Sequence, residues 1–149
     1  MRYYEDFEPG RVWEYDGRYE LSEDEILEVG RRWDPQPFHV DPVAAEASIF
    51  GGLVASSVHL FAVSTRLATE VPDDMRSAAV SALGFRAMTL RAPARPGDVL
   101  RMRSTAVERR LSQSRPGLGI VVIGVELFNQ RDELVYEHEN SFLIRCRDA

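Results

Sequence analysis

The segment 33–42 constrains the fold of this chain more than any other stretch, because three of its last eight residues are prolines. Proline lacks a backbone N–H, fixes φ and restricts the residue before it, so neither a regular helix nor a central strand is expected here. The segment is therefore predicted to be a stiff, extended loop. A loop of this kind suits side chains that must be held still, and this one carries Asp34 and His39.

The residues before this loop predict a hairpin and then a helix. Val12–Leu21 alternates loosely around Asp16-Gly17, which predicts a short hairpin turn. Ser22 and Glu25 have the spacing of a capping box, with Ser22 as the N-cap and Glu25 reaching back to its amide. The helix that follows is expected to run to about Arg32. The candidates for its inward face are Ile26, Leu27 and Val29.

The residues after the loop predict two further helices. Asp41 is placed as the N-cap and Pro42 as the first residue of a short helix that ends near Ser48. The pair Gly51-Gly52 then marks a sharp entry into the segment Leu53–Thr69. This segment is apolar on nearly every side, so it is expected to form a helix that is buried on most of its faces.

The second half of the chain is predicted to consist of long strands joined by short turns. The predicted strands are Ala79–Arg91, Val99–Leu111, Ile120–Phe128 and Leu134–Arg147. A few helices followed by a run of antiparallel strands indicate an α+β fold. No internal repeat or linker divides the sequence, so residues 1–149 are expected to form a single domain.

The charged residues argue against several classes of function. The net charge is −6, which argues against a general nucleic-acid-binding surface. All 18 basic residues are arginine, so no lysine is present for Schiff-base chemistry. Any phosphate that the protein binds must be held by arginine or by backbone amides.

Membrane association and metal binding are not expected either. No apolar run approaches the roughly 18–20 residues that span a bilayer, and the first residues lack the pattern of a secretory signal. A cytoplasmic location is therefore the expectation. The one cysteine, Cys146, has no cysteine or histidine companions at the spacing of metal ligands, so no metal site is expected.

Asp34 and His39 have the chemistry of a water-activating pair. Histidine titrates near neutral pH, so it can accept a proton and return it, and a nearby carboxylate can orient the ring or the water. A proline-kinked loop could bring the two side chains to one point. The structural alternatives are that Asp34 only caps or turns the loop, and that His39 is a satisfied polar residue at a strand edge.

The start of the predicted buried helix is a second candidate site. The glycine pair lets the backbone pass close to another group. Ser56 and Ser57 fall where free backbone N–H groups and the positive end of the helix dipole could hold a developing oxyanion. Gly52, Ser56 and Ser57 are therefore the candidate oxyanion and substrate-binding residues. One of the serines could instead simply cap the helix, a role that leaves the amide available.

The two remaining histidines are assigned no function. His59 lies on the apolar helix, where a packed and hydrogen-bonded histidine is much commoner than a ligand. His138 stands between Glu137 and Glu139, which predicts that it faces solvent.

Taken together, these motifs resemble the MaoC-like dehydratases, a family that includes the R-specific enoyl-CoA hydratases. The core of the resemblance is Asp34-x-x-Pro37-x-His39-x-Asp41-Pro42, with Phe50-Gly51-Gly52-Leu53-Val54-Ala55 following at the expected distance. Further matches occur in order along almost the whole chain. They are Tyr4–Gly10, Arg95–Asp98, Ser112–Gly117 and Asn129-Gln130.

The resemblance implies a hotdog fold, in which a long antiparallel sheet wraps around a buried central helix, and a homodimer or higher homo-oligomer. It also implies reversible hydration of a trans-2-enoyl thioester, usually on coenzyme A, to an (R)-3-hydroxyacyl thioester. No cofactor is implied beyond the coenzyme A that the substrate carries. By similarity, Asp34 and His39 would activate the water that adds at C3 and deliver a proton to C2. The Ser57 amide would polarise the thioester oxygen.

The chain departs from the family pattern at two positions. Gln36 stands where asparagine is common, and Ser57 stands where many members have glycine, which adds a side chain near the expected path of the thioester. The rival functions are a hotdog acyl-CoA thioesterase and a non-catalytic acyl-thioester-binding subunit. Arg86, Arg91 and Arg95 could contact coenzyme A phosphates, but solvated strand positions are the simpler interpretation of these arginines.

Overall fold

The computed structural model describes residues 1–148, which form four helices and six strands. The helices are α1 (Glu23–Trp33), α2 (Pro37–Val40), α3 (Pro42–Glu46) and α4 (Ser57–Thr69), and a single 3-10 turn covers Tyr4–Asp6. The strands are β1 (Val12–Glu14), β2 (Tyr19–Glu20), β3 (Ala79–Leu90), β4 (Val99–Leu111), β5 (Leu118–Phe128) and β6 (Leu134–Arg145).

The strands form one antiparallel sheet in the order β1-β4-β5-β6-β3, with β2 also paired to β4. Side chains alternate along a strand, so one face of the sheet can be buried while the other meets solvent. β4 follows this rule, since Leu100, Met102, Ser104 and Ala106 are all buried. Helix α4 contacts β4 and β5 on the buried face. This is the α+β hotdog arrangement, so the predicted fold class is confirmed.

Helix α4 packs its apolar face against the sheet. Leu60, Val63 and Leu67 are each almost fully buried, while Val58 on the opposite side is about half exposed. The expectation that most faces of this helix are buried is therefore wrong, since Ala62, Thr65 and Arg66 are exposed as well. With 13 residues it is the longest helix. No helix in residues 1–148 is long and apolar enough to cross a bilayer.

The predicted hairpin within Val12–Leu21 is wrong. Its two halves do form strands, but β1 and β2 each pair with β4 and not with each other. The register places Val12 opposite Thr105 and Tyr19 opposite Leu100. The long strand β4 offers both segments a continuous edge, whereas a two-residue strand such as β2 offers little to pair with.

Two helix boundaries also differ from the prediction. The central helix begins at Ser57 and not at Leu53, because residues 53–56 are extended and the amides of Val54 and Ala55 donate to Phe38 O and Ala94 O. The proline-rich segment is not wholly irregular either, since α2 forms one turn inside it. Pro37 is the first residue of that turn, where a missing N–H has no cost.

The capping box at α1 is only half formed. Ser22 Oγ accepts the predicted hydrogen bond from the Glu25 amide, at 3.1 Å. The Glu25 carboxylate does not reach back to Ser22 and instead accepts a hydrogen bond from the Tyr19 hydroxyl. Burial and this carboxylate raise the pKa of Tyr19 to about 12, so the hydroxyl keeps its proton. Asp41 caps α3 as predicted, accepting from the Val43 and Ala44 amides.

We expect Leu67→Ala to lower the free energy of unfolding by about 2–5 kcal/mol, because it leaves a cavity between α4 and the sheet. The measurement is urea unfolding followed by circular dichroism. The matched control is Val58→Ala on the same helix, which should change stability by no more than about 0.5 kcal/mol, since Val58 is exposed. Equal effects of the two substitutions would contradict the burial assigned to α4.

Candidate active site

Asp34 and His39 come together at the junction of α1 and α2. Asp34 is the C-cap residue directly after α1, and His39 lies within α2. His39 Nε2 is 3.5 Å from Asp34 Oδ2. The His39 side chain is 8% exposed and the Asp34 side chain 30% exposed, so the carboxylate has access to water while the ring is enclosed.

The chain turns back on itself between the two residues. The Asp34 amide donates to Gly30 O, which closes the last turn of α1. The Gln36 amide then donates to Asp34 O at 2.8 Å, and the His39 amide donates to Gln36 O at 2.9 Å. These short-range hydrogen bonds, together with the flanking prolines, hold the two side chains on the same side of the loop.

Close packing of His39 against α1 depends on Gly30. A Cβ atom added at Gly30 would lie 2.6 Å from His39 O and 3.0 Å from His39 Cβ. No other residue type fits there without a backbone shift. A glycine inside a helix costs stability relative to alanine, so Gly30 within the predicted helix was a signal of a packing constraint.

A hydrogen bond to Val54 determines that Nδ1 of the His39 ring carries a proton. His39 Nδ1 lies 2.6 Å from Val54 O, and a carbonyl can only accept, so Nδ1 carries the proton. In the neutral ring, Nε2 then has a free lone pair directed toward Asp34. Val54 was not predicted to be part of the site, because nothing in a sequence indicates which carbonyl a histidine ring will meet.

A cavity of about 330 Å³ opens beside His39. Its wall is largely apolar and comes from α2, the extended segment before α4, the first turn of α4 and the end of β3. The lining residues include Phe38, Phe50, Val54, Ala55, Leu60 and Leu90. Such a cavity suits an apolar group presented to the Asp34–His39 pair.

The start of α4 offers free amide donors. Ser56 is the N-cap, and its Oγ accepts from the His59 amide at 3.3 Å. Ser57 is the first helical residue, and within residues 1–148 the Ser57 and Val58 amides make no hydrogen bond. Of the two alternatives for the serines, capping therefore belongs to Ser56, while the Ser57 and Val58 amides are both free; the binding of the thioester oxygen by the Ser57 amide stays a prediction.

The two glycines shape the loop that leads to this helix. Gly51 has φ +63° and Gly52 has φ +155°, both in regions that favour glycine. The Gly52 amide donates to Ala45 O at 3.0 Å, which closes the loop onto α3. Arg95 packs beside Gly52 and donates to Phe50 O. Gly52 thus has a structural role, and its predicted contact with substrate stays a prediction.

His138 does not face solvent, as the sequence predicted, but is buried. Its ring packs against Phe61, Phe85 and Tyr136, with centroid distances of 5.4–5.6 Å. Burial lowers the pKa of His138, so the ring is neutral near pH 7. The prediction failed because β6 places Glu137 and Glu139 on the outer face and His138 on the inner face of the sheet, as strand alternation requires.

His59 is also buried, and its Nε2 lies 3.4 Å from Glu25 Oε2. Burial lowers its pKa, and the nearby carboxylate opposes that effect only in part. In the part of the chain that the structure describes, no three histidine, cysteine or acidic side chains cluster as potential metal ligands.

The three arginines considered for phosphate contacts already have partners. Arg86 pairs with Glu139 across the β3–β6 ladder, and Arg91, just after β3, pairs with Glu137 of β6. Arg95 donates to the Phe50 carbonyl as described above.

Comparisons with known proteins agree with the resemblance found in the sequence. The sequence model of the MaoC like domain matches residues 6–125. The uncharacterized protein YdeM of Bacillus subtilis (strain 168) is 33% identical over 129 residues, which cover 84% of this chain and 86% of that protein.

Two solved structures extend this similarity to the fold. The MaoC-like dehydratase from Rhodospirillum rubrum superposes with a TM-score of 0.89 at 31% identity, covering 99% of both chains. The R-hydratase PhaJ1 from Pseudomonas aeruginosa superposes with a TM-score of 0.71 at 21% identity, covering 97% of this chain and 86% of that one. At that lower identity, the second similarity shows the fold alone.

We expect Gly30→Ala to destabilise the protein by roughly 1–3 kcal/mol, because the added methyl group overlaps the His39 backbone. This should occur although alanine is the better helix former. The measurement is the urea-unfolding free energy, with Gly84→Ala as the control, since a Cβ atom there meets its nearest neighbour at 3.8 Å. A Gly30→Ala protein as stable as the wild type would argue against this close approach.

Proposed function

Because the chain belongs to the MaoC-like domain family, we propose that it adds water reversibly to trans-2-enoyl thioesters and forms (R)-3-hydroxyacyl thioesters. Coenzyme A would enter as part of the substrate, and the protein would need no cofactor of its own. The observation that carries the proposal is the 3.5 Å approach of His39 Nε2 to Asp34 Oδ2 beside an apolar cavity. A cytoplasmic location stays a prediction.

The Asp34–His39 pair is arranged to hold a water molecule. With Nδ1 protonated toward Val54, the neutral ring presents a lone pair at Nε2, and the Asp34 carboxylate presents another acceptor close to it. Two adjacent acceptors cannot satisfy each other, but a single water can donate one hydrogen bond to each. Such a water has its oxygen lone pairs free for attack on an alkene carbon.

Hydration then balances without any other reagent. The water oxygen forms a bond to C3 as one of its protons passes to the pair, and electron density moves from the double bond toward the thioester carbonyl. A proton returns from the pair to C2, so the product gains one water and the pair ends in its starting state. General acid–base catalysis of this kind contributes roughly 10²–10⁴-fold to a rate.

The negative charge that develops on the thioester oxygen needs a donor, and the Ser57 amide supports that role. It is free within the described residues and stands at the positive end of α4. A preorganised donor of this kind is worth about 3–4 kcal/mol in the transition state. Ser56 would support the site indirectly through its capping hydrogen bond, and Gly52 through the loop that positions both serines.

We also propose that the protein is a homodimer joined along β3. This strand is paired on one side only, with β6, and it exposes several large apolar side chains. They are Val80, Leu83, Phe85, Met88 and Leu90. An unpaired, apolar edge strand attracts further strands, and pairing of two copies would cover it in both.

We expect Asp34→Asn and His39→Gln each to lower kcat for hydration by about 10²–10⁴-fold, because a neutral amide cannot take up and return the proton of the attacking water. The assay follows the loss of ultraviolet absorbance as crotonyl-CoA, a conjugated enoyl thioester, is hydrated. Asp16→Asn is the matched control, since Asp16 is exposed and remote in the chain, and it should retain full activity. Circular dichroism of each variant separates lost chemistry from lost fold.

The same assay decides between the proposed function and its rivals. Rapid thiol release from saturated acyl-CoA esters would support a thioesterase. A non-catalytic binding subunit would be supported if the wild-type protein binds crotonyl-CoA tightly but does not turn it over, and if longer enoyl esters are also inert. Near-full hydration by a well-folded Asp34→Asn or His39→Gln variant would refute the role of the pair.

We expect Leu83→Glu to shift the protein from dimer to monomer, because it places a charge in the proposed strand-to-strand interface. Light scattering coupled to size exclusion, at micromolar concentration, measures the mass. Val107→Glu is the control, since Val107 is also an exposed apolar residue but lies on the interior strand β4. A wild-type protein with the mass of one chain would contradict the dimer.

A further inference from the structure

A second cavity, of about 230 Å³, lies between the sheet and the second half of α4. Ser64, Thr65, Ala68 and Thr69 line it from the helix. These residues are seven to twelve positions beyond Ser57, which places them roughly 10–18 Å along the helix from its start. The cavity is therefore separate from the one beside His39, and nothing in the proposed mechanism uses it.

Arg2 lines this second cavity and is only 9% exposed. Its backbone is fixed by hydrogen bonds to Arg76 O and from the Ala78 amide. The guanidinium lies among three aromatic rings, with its Cζ atom 5.0 Å from the centroid of Trp13, 5.7 Å from that of Phe7 and 5.9 Å from that of Tyr15. The position of the charge is thus well defined.

This buried charge has no anionic partner. Arg2 forms no ion pair within residues 1–148, and none of the residues that line the cavity is acidic. Its Nε and Nη1 atoms have no hydrogen-bond partner there, and Nη2 makes only a 3.4 Å contact with the Tyr15 hydroxyl. A buried guanidinium normally requires a counter-charge and satisfied donors.

Other arginines of the chain, unlike Arg2, are paired with carboxylates. Arg86, Arg91 and Arg103 lie on or near the outer surface, where water already solvates the charge, and yet each pairs with a glutamate. The chain has 24 acidic residues, so carboxylates are plentiful. The most enclosed arginine is without one, in a cavity large enough for a small group.

Other polar groups in the cavity can complete an anion site. The Tyr15 hydroxyl and Ser104 Oγ are hydrogen-bonded to each other at 3.0 Å beside Arg2. His138 Nδ1 and Asn140 Oδ1 are buried and have no partner in the described part of the chain. The oxygen and nitrogen of an Asn amide are interchangeable by a flip, and a neutral histidine can place its proton on Nδ1, so both side chains can donate.

We propose that this cavity binds a carboxylate group, with Arg2 as its counter-charge and the hydrogen-bonded hydroxyl pair of Tyr15 and Ser104 supplying one further O–H donor. A carboxylate presents two oxygens that match the planar fork of a guanidinium. The apolar part of the wall, which includes Phe7, Met102 and Phe142, suits a group carried on a hydrocarbon chain.

Two sources of that carboxylate fit the structure. One is the far end of the substrate's own acyl chain, which would make the substrate the monothioester of a dicarboxylic acid; this possibility rests on the proposed function. Along α4, Leu60 lines the first cavity and Ser64, one turn further on, lines the second. A chain held at His39 would have to extend along α4 to reach Arg2. The other source is a free carboxylic acid.

The test measures binding and not turnover. Saturated coenzyme A monothioesters of straight-chain dicarboxylic acids, from succinyl-CoA to dodecanedioyl-CoA, are titrated calorimetrically beside monocarboxylic thioesters of the same carbon number. At the chain length that spans the two cavities, we expect the dicarboxylic thioester to bind roughly 10- to 100-fold tighter. Arg2→Met should abolish this preference, and Arg2→Lys should keep part of it. Arg115→Met, which removes an exposed arginine, should leave it unchanged.

Each remaining outcome has a defined meaning. If free suberate or sebacate binds in an Arg2-dependent manner and the dicarboxylic thioesters bind no tighter than their monocarboxylic counterparts, the carboxylate site is supported and its ligand is a free acid. Tyr15→Phe keeps the ring over Arg2 and removes one donor, so it tests the site even where Arg2→Met does not fold. The proposal is overturned when no probe gains affinity from its carboxylate, or when the gain survives both Arg2→Met and Tyr15→Phe. If the wild-type protein does not hydrate crotonyl-CoA but shows the Arg2-dependent binding, the proposed function is refuted and the carboxylate site at Arg2 is still supported.

Discussion

The hydrogen bond from His39 Nδ1 to Val54 O is the contact on which the rest of the site depends. It joins the proline-rich turn to the extended segment that leads into α4. A second hydrogen bond, from the Val54 amide to Phe38 O, joins the same two segments. One contact therefore fixes which ring nitrogen carries the proton and where the pair stands relative to the free amides of the helix. Bulk hydrophobic burial would tolerate small shifts between these segments, whereas a buried hydrogen bond of 2.6 Å does not.

The fold serves this junction by holding α4 rigidly. Leu60, Val63 and Leu67 anchor the helix on the sheet, so the amide end at Ser57 cannot move independently of the strands. Gly30 brings α1 against the His39 backbone from the other side. The catalytic candidates are thus clamped between a helix and an extended segment, which matches the preorganisation that electrostatic catalysis requires.

Much of this architecture was predictable because it depends on local patterns. The four long strands, the caps at Ser22 and Asp41, and the spacing of Asp34 and His39 all follow from alternation, turn residues and motif order. The failures involve partners distant in sequence. β1 and β2 both pair with β4, Val54 O meets the His39 ring, and His138 points inward although its sequence neighbours are acidic. Arg2 gave no local signal, because the groups that enclose it are brought together only by the finished sheet.

The double junction between α2 and Val54 also closes a loop. Residues 41–53 form a loop that starts and ends at this junction, and within the loop the Gly52 amide donates to Ala45 O. Within the loop, Phe50 lines the cavity beside His39, and its carbonyl accepts a hydrogen bond from Arg95. A change in the length of this loop would move Phe50 and reshape the apolar wall, whereas the contact between Asp34 and His39 lies outside the loop. The loop is therefore the part of the fold through which the shape of the pocket can change separately from the pair.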